Sequence, residues 1–167
     1  MLAAASHFTI RAVDDRDGEA VAALIAACFA EYPGCLFSWE EFPELRAPAR
    51  WARERGTRMW VVDGAGGAID GCICATPDGR GAVELHKFYL AAQLRGSGLA
   101  QKLTAKVFGH ARETGATALF LWTDTRFARA HRFYEKLGFI RQPETRLLGD
   151  ISETTELYYT LQLAGRA

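Results

Sequence analysis

The chain has 167 residues, the length of one domain, and the composition of an ordinary soluble globule. Hydrophobic residues make up 49% and charged residues 24%, enough apolar side chain for a sizeable core, which excludes intrinsic disorder. The net charge of zero argues against nonspecific binding to nucleic acid. No apolar run approaches the roughly 20 residues of a membrane span, and the first six residues are too short for a signal peptide. We therefore expect a cytoplasmic protein with no nucleic-acid or membrane partner.

Charge is unevenly distributed along the chain although it sums to zero. Residues 80–146 contain twelve basic and five acidic side chains, whereas the segments on either side are acidic. A basic centre in a neutral protein favours a compact anionic ligand over a long polyanion. Solvated helix faces give the same distribution, so both interpretations stay open.

The four cysteines do not form a metal-binding pattern. They are Cys28, Cys35, Cys72 and Cys74, with no CxxC motif and no clustered histidine. A structural zinc site is therefore not expected, and we predict no metal ligand. Alternation along a strand puts Cys72 and Cys74 on one face, where they are typical of small core residues.

The first half of the chain predicts strands and short helices. Alternation at residues 8–13 predicts a strand, and the aspartates that follow can cap a helix ending near residue 30. Within the irregular aromatic segment 35–55, short helices are expected at 39–45 and 49–55. Glycine- and proline-containing turns then separate three predicted strands, at Arg58–Asp63, 68–75 and Ala82–Leu90.

The second half has clearer helical spacing. Residues 98–114 form an amphipathic helix whose apolar stripe is Leu99, Leu103, Val107 and Ala111. The remaining elements are a strand at 118–123, a helix at 127–138, and closing strands at 139–141 and 156–163. The order β-α-α-β-β-β-α-β-α-β-β predicts a single mixed α/β domain.

The most informative feature is a strand, a glycine-containing turn and a helix in succession. The turn Gln93-Leu94-Arg95-Gly96-Ser97-Gly98 opens the helix at 98–114. The first turn of a helix presents unpaired N–H groups and a partial positive charge, and glycines let an anion approach them. Gln101 stands where a dinucleotide-binding GxGxxG needs its third glycine, and no Walker A ending exists. Glycine also serves purely structural turns, so this feature alone is weak evidence.

Two motifs together resemble the GNAT superfamily of acyl-CoA N-acyltransferases. Gln93-x-x-Gly96-x-Gly98 is similar to its motif A, and Tyr134-x-x-x-Gly138-Phe139 resembles a second family segment about forty residues later. The match covers residues 83–140, and the element order fits throughout. Many members carry asparagine seven residues before the tyrosine, whereas this chain has Phe127, which puts the contacts of that asparagine in doubt.

The resemblance implies a fold and a co-substrate. The fold is a single GNAT-like α/β domain over residues 7–164, with a mixed, mostly antiparallel central sheet flanked by helices. The donor is acetyl-CoA or another acyl-CoA, and a primary amine of a small molecule or peptide attacks its thioester directly. A homodimer is left open. The residues implied for acyl-CoA are the strand residues Phe88, Tyr89 and Leu90 and the turn residues Leu94, Arg95, Gly96, Ser97, Gly98, Leu99 and Ala100.

The resemblance also implies catalytic residues. Tyr134 is the candidate acid that donates a proton to the departing sulfur, although a core aromatic role is the alternative. By alternation Glu84, His86, Phe88 and Leu90 share one strand face. The base is Glu84, His86 or neither, and Asp124 is a further candidate.

Acceptor recognition is expected in the segment 32–45, because the family varies its substrate pocket there. Phe29, Tyr32, Phe37 and Trp39 could wall a pocket near Glu40, Glu41 and Glu44. A core helix explains the same pattern. The alternative to an enzyme is a catalytically silent acyl-CoA sensor of the same fold.

Overall fold

A seven-stranded sheet runs through the centre of the structure, a computed structural model that describes residues 8–164. The strand order is β1-β2-β3-β4-β5-β7-β6, and every neighbouring pair is antiparallel except β4 and β5. This confirms the expected mixed, mostly antiparallel sheet; residue 7, the predicted start of the domain, lies outside the described residues. The strands are β1 (Ile10–Ala12), β2 (Arg58–Asp63), β3 (Ile69–Pro77), β4 (Ala82–Leu90), β5 (Ala118–Asp124), β6 (Ile140–Leu147) and β7 (Thr155–Gln162).

Within residues 8–164, four α-helices flank the sheet, two on each face. They are α1 (Gly18–Phe29), α2 (Pro48–Glu54), α3 (Leu99–Glu113) and α4 (Ala128–Lys136). One apolar cluster joins α1 and α2 to the sheet and includes Cys72 and Cys74, as alternation predicted. The other joins α3 and α4 to the opposite face, and the predicted stripe of α3 is fully buried in it.

Two predicted elements differ from those observed, and each observed element contains a proline. The helix expected at 39–45 is a short 3-10 helix, Pro43–Arg46, since Pro43 can begin a helix but cannot continue one. The strand expected at 139–141 runs from Ile140 to Leu147, although it contains Pro143. Pro143 is tolerated there because β6 is an edge strand and its register with β7 shifts between Arg141 and Thr145.

The sheet splits between β4 and β5. These parallel strands pair only where residues 82–84 meet residues 118–120. Beyond Glu84 the backbone of β4 has no neighbouring strand on that side within residues 8–164. The second half of β4 therefore presents an open edge with unused main-chain groups.

A β-bulge interrupts the antiparallel pairing of β3 with β4. His86 pairs with Cys74 and Tyr89 with Cys72, so two residues of β4, Lys87 and Phe88, oppose the single residue between those cysteines. The backbone of Lys87 has a φ of +47°. An extra residue in a strand reverses the faces of everything beyond it.

The bulge corrects the prediction that Glu84, His86, Phe88 and Leu90 share one face. The ring of His86 lies against α2, whereas Phe88 packs against the α4 side and Leu90 belongs to the same cluster as α3. Alternation is valid up to the bulge and fails after it. Residues 84 and 86 thus face one side of the sheet, and residues 88 and 90 face the other.

Candidate active site

The predicted anion-binding turn lies at the start of α3. Gly96 and Gly98 have φ values of +77° and +84°, the left-handed region that favours glycine. A Cβ added at either residue meets no atom within 4 Å, so the space above the turn is open. The helical ladder begins where Lys102 N–H donates to the Gly98 carbonyl at 3.2 Å, and the preceding amides of the first turn stay outside it. The Leu99 amide donates to the Ser97 hydroxyl at 3.4 Å. The other amides of the first turn have no hydrogen-bond partner among residues 8–164 and lie at the positive end of the helix dipole.

Arg95, the fixed charge of this turn, already has a partner. Its guanidinium donates to both carboxylate oxygens of Glu31, at 2.6 and 2.5 Å. This pairing raises the pKa of Arg95 and lowers the pKa of Glu31. The hydroxyl of Ser97 donates to the Leu94 carbonyl at 2.5 Å.

A cleft of about 380 Å³, here called the glycine cleft, extends from this turn along the open edge of β4 to α4. Three exposed cations of α4 line it, Arg129, Arg132 and Lys136. Sequence reasoning missed them, although their spacing of three and four residues puts them on one helix face. From the predicted acyl-CoA set the cleft is lined by Phe88, Tyr89, Leu90, Arg95, Gly96, Gly98 and Ala100, and not by Leu94, Ser97 or Leu99.

A second cavity, of about 520 Å³ and here called the acidic cavity, adjoins the glycine cleft. It brings together all four residues predicted for acid or base catalysis, Glu84, His86, Asp124 and Tyr134. Phe88, Tyr89 and Phe127 line both spaces. The two cavities therefore meet at these three aromatic rings.

Tyr134 lies in α4 beside this junction and is 5% exposed. Its ring centroid is 6.4 Å from that of Phe88 and 5.9 Å from that of Phe139. Burial raises the pKa of the Tyr134 hydroxyl. The phenol therefore keeps its proton at neutral pH and remains a hydrogen-bond donor.

Glu84 differs from the other carboxylates of the acidic cavity. Asp124 is held by the Arg126 guanidinium, with contacts of 2.9 and 2.8 Å, and Glu156 is held by Arg146 at 2.6 Å. Glu84 accepts no hydrogen bond from the residues that the structure describes, and burial raises the pKa of its carboxyl group. A carboxylate without a partner in a cavity is suited to accept a proton from a ligand.

His86 has a more enclosed position. Its Nε2 is 2.7 Å from the hydroxyl oxygen of Thr76, and its ring meets Trp51 edge-on at 6.2 Å. Burial, with a smaller contribution from the charge of Lys87, lowers the pKa of His86 to about 3. His86 is therefore neutral at physiological pH and a weak base.

The segment expected to recognise the acceptor is divided between cavity and core. Phe29, Phe42 and Glu41 line the acidic cavity, whereas Tyr32 lines the glycine cleft. Phe37 and Trp39 pack against the cluster under α1 and α2. Of the other two predicted carboxylates, Glu40 accepts from the hydroxyl of Ser38 and Glu44 pairs with Lys87. Only Glu41 of the three predicted glutamates lies on the cavity wall.

Neither a membrane-spanning helix nor a metal-binding cluster is found among the residues that the structure describes. Between residues 8 and 164 no helix is long and apolar enough to cross a bilayer. In the same range no group of three or more His, Cys, Asp or Glu side chains is arranged to hold a metal ion.

Solved structures with the same fold include two bacterial acetyltransferases. An acetyltransferase of the GNAT family from Staphylococcus aureus Mu50 superposes with a TM-score of 0.80 at 18% identity, over 95% of this chain and 100% of that chain. The structure of yncA from Salmonella typhimurium, solved with its cofactor acetyl-CoA, gives a TM-score of 0.71 at 21% identity over 97% of each chain. At these identities the likeness establishes the fold.

Sequence relatives match parts of the chain. An uncharacterised N-acetyltransferase of Escherichia coli, YjgM, is 36% identical over 86 residues, which are 50% of this chain and 52% of the relative. N-acetyltransferase 8 of Rattus norvegicus is 32% identical over 97 residues, 55% of this chain and 43% of the relative. The chain thus spans about half the length of the curated relatives it matches. The family model described as the acetyltransferase (GNAT) family matches residues 14–139, most of the chain, and the protein belongs to that family.

Proposed function

We propose that this protein is an N-acetyltransferase that transfers the acetyl group of acetyl-CoA to a primary amine of a small molecule or peptide. The observation that carries the proposal is the junction of the glycine cleft and the acidic cavity at Phe88, Tyr89 and Phe127, beside Tyr134. A donor that enters through the cleft and an acceptor that enters through the cavity meet at this junction. No covalent enzyme intermediate is then required.

The residues of the glycine cleft fit acetyl-CoA. The diphosphate binds the unpaired amides at the start of α3, where the lack of side chains at Gly96 and Gly98 leaves room for it. The pantetheine arm pairs with the open edge of β4 as an added strand does. The α4 cations, Arg129, Arg132 and Lys136, add positive charge to the lining of the cleft.

Two proton transfers accompany the reaction. Glu84 removes a proton from the acceptor ammonium, directly or through water, and leaves the nitrogen lone pair free. The nitrogen attacks the thioester carbonyl carbon, the carbon–sulfur bond breaks, and the sulfur leaves with the electron pair. Tyr134 donates a hydrogen bond or proton to this sulfur. The products are the N-acetyl amine and the CoA thiol. The second amine proton and the proton on Glu84 go to solvent, and a solvent proton restores the Tyr134 hydroxyl where it has given up its own.

The charge of the acidic cavity supports an acceptor that enters as a cation. Five carboxylates line it, against the two cations Lys87 and Arg146. Such an excess attracts ammonium groups and disfavours a free carboxylate on the acceptor. The aromatic rings Phe29, Phe42 and Trp122 add apolar wall for its carbon skeleton.

The test is thiol release from acetyl-CoA across a panel of polyamines, amino acids, aminoglycosides and peptides, with product mass as the readout. We expect turnover with at least one amine. The product should be about 42 Da heavier than the amine, because an acetyl group replaces one hydrogen. CoA binding by calorimetry without turnover on any amine overturns it in favour of the acyl-CoA sensor.

A further inference from the structure

Lys87 occupies a site that the proposed reaction does not use directly. Its ammonium forms an ion pair with Glu44 and lies over the rings of Phe42, at 5.1 Å, and Trp51, at 5.6 Å. The two charged side chains are only 15% and 13% exposed. The ammonium thus lies in a box of one carboxylate and two aromatic rings, each within the range of a favourable contact.

The backbone of Lys87 is strained. Its φ of +47° lies in the left-handed region, where a long side chain is unfavourable and where bulges of this kind usually carry glycine. Such a conformation persists only when the surrounding contacts hold it. The box around the ammonium is the contact that holds the side chain, and the Lys87 carbonyl accepts from the Cys72 thiol at 3.2 Å.

The bulge sets the orientation of the residues beyond it. Phe88 turns toward α4, with its ring centroid 5.9 Å from that of Phe133 and 6.4 Å from that of Tyr134. Tyr89 turns to the opposite face, where its ring meets Phe29 edge-on at 5.8 Å. Without the bulge these side chains exchange faces, and the junction of the two cavities is lost.

We propose that Lys87 is a positioning residue: its ammonium, anchored by Glu44 between Phe42 and Trp51, holds the β4 bulge that presents residues 88–90 to acetyl-CoA. That the ligand is acetyl-CoA rests on the proposed function. Glu44 lies in the 3-10 helix that follows Phe42, on the acceptor side of the site. The same ion pair therefore joins the acceptor-side segment to the strand that binds the donor.

Two substitutions of Lys87 distinguish the effect of its side-chain charge from the effect of its backbone strain. Lys87→Met keeps the stem and the strain but removes the charge, whereas Lys87→Gly removes the side chain and relieves the strain. Lys106→Met is the control, since Lys106 is an exposed lysine of α3. Each variant is measured for CoA affinity by calorimetry and for amide hydrogen exchange over residues 84–90, without an acceptor.

We expect Lys87→Met to weaken CoA binding about 10-fold and to speed exchange at residues 87–90, because an unheld bulge opens locally. Lys87→Gly should recover affinity to within about 3-fold of the wild type. Wild-type affinity and exchange in Lys87→Met overturn the proposal, and so does a Lys87→Gly protein that binds as poorly as Lys87→Met.

Glu44→Gln provides a second test if Lys87→Met does not fold. It leaves the Lys87 backbone and stem in place, and we expect faster exchange and weaker CoA binding. Unchanged exchange in Glu44→Gln contradicts the anchoring role. If the wild-type protein binds no CoA, the proposed function fails, while the exchange measurements still decide whether Lys87 holds the bulge.

Discussion

Arg95, which lines the glycine cleft, forms a two-pronged ion pair with Glu31, with N–O distances of 2.6 and 2.5 Å. Glu31 follows the end of α1, sixty-four residues before Arg95. Both side chains are partly exposed, so the pair adds little to folding stability. The pair instead affects ligand binding, because a guanidinium that is already paired with a carboxylate attracts a diphosphate less strongly.

Replacing Glu31 should therefore strengthen donor binding. In Glu31→Gln the guanidinium is released and a nearby negative charge is removed, and we expect the Kd of CoA to fall about 3-fold at low salt. Calorimetry of Glu31→Gln, Arg95→Gln and the double variant checks this. The gain should vanish when Arg95 is absent; a gain of the same size in the Arg95→Gln background means that Glu31 acts on the ligand through its charge alone.

The predicted anion-binding turn at the start of α3 gives a second prediction. In Gly98→Asp a carboxylate and a Cβ enter the space that the diphosphate needs, so CoA affinity should fall by about 100-fold or more. Gly115→Asp is the matched control, because Gly115 has a φ of +73° at the other end of the same helix and nothing within 4 Å of its Cβ. Both variants bear the same backbone strain, but the added charge lies at the favourable end of the helix dipole in Gly98→Asp and at the unfavourable end in Gly115→Asp. Gly115→Asp should therefore melt at the lower temperature. Equal CoA affinity in the two variants means that the turn at the start of α3 does not bind the diphosphate.

Much of the fold could be predicted from the sequence because the signals were local. The α3 stripe repeats every four residues, and Leu99, Leu103, Val107 and Ala111 are all fully buried. The glycine-containing turn before α3 was likewise predicted from its own residues, Gly96 and Gly98. Such signals need no knowledge of distant residues.

The errors arose where distant contacts decide the structure. The face of Phe88 was predicted wrongly because the bulge at Lys87 carries no glycine, and its ion pair with Glu44 is forty-three residues away in sequence. The ion pair of Arg95 with Glu31 was missed for the same reason, because the two residues are sixty-four positions apart in sequence. Alternation depends only on the position of a residue along its strand, so it cannot predict a bulge that is stabilised by a contact with another element.

Glu84 should control the pH dependence of the reaction. As a base it must be ionised, and burial raises its pKa, so kcat/KM should decrease as the pH falls through a value above the ordinary glutamate pKa of about 4.3. Glu84→Gln should reduce kcat/KM about 10²-fold at neutral pH without weakening CoA binding. The deficit should shrink as the pH approaches the pKa of the amine, where the free base needs no help.

His86→Gln is the comparison for this experiment. Because the pKa of His86 is about 3, its loss should lower kcat/KM less than the loss of Glu84 does. A deficit in Glu84→Gln that is the same at every pH assigns Glu84 a positioning role, and a larger loss in His86→Gln makes His86 the base.

The buried His86 should make the fold sensitive to acid. The folded protein keeps His86 neutral down to a pH of about 3, whereas the unfolded chain protonates it with a pKa near 6.5. The unfolded state therefore binds the extra proton, and stability present above pH 6.5 is lost as the pH falls. Between pH 7.5 and 5.5 the free energy of unfolding should drop by about 1.4 kcal/mol more in the wild type than in His86→Gln. Urea unfolding at the two pH values measures the difference, and equal losses in both proteins contradict the buried neutral state.

Tyr134 and Tyr159 allow the acid to be tested with a matched control. Their ring centroids are 6.3 Å apart, both side chains are buried, and only Tyr134 lines the acidic cavity at its junction with the glycine cleft. The Tyr159 hydroxyl donates instead to Glu135, at 3.1 Å. Replacing either tyrosine by phenylalanine removes one hydroxyl and keeps the packing of the ring.

Tyr134→Phe should slow turnover by about 10²-fold and not abolish it. A thiol of pKa near 8.5 is a moderate leaving group, so its departure is assisted by a hydrogen-bond donor but does not wholly depend on one. The loss should appear in kcat with little change in KM, since the hydrogen bond strengthens only as negative charge develops on the sulfur. Burial keeps the phenol protonated, so this loss should be constant from pH 6 to pH 9. Tyr159→Phe should retain wild-type kcat. Steady-state kinetics of both variants on one amine decides the matter: wild-type kcat in Tyr134→Phe makes Tyr134 a core residue, and the sulfur then leaves without an acid from α4.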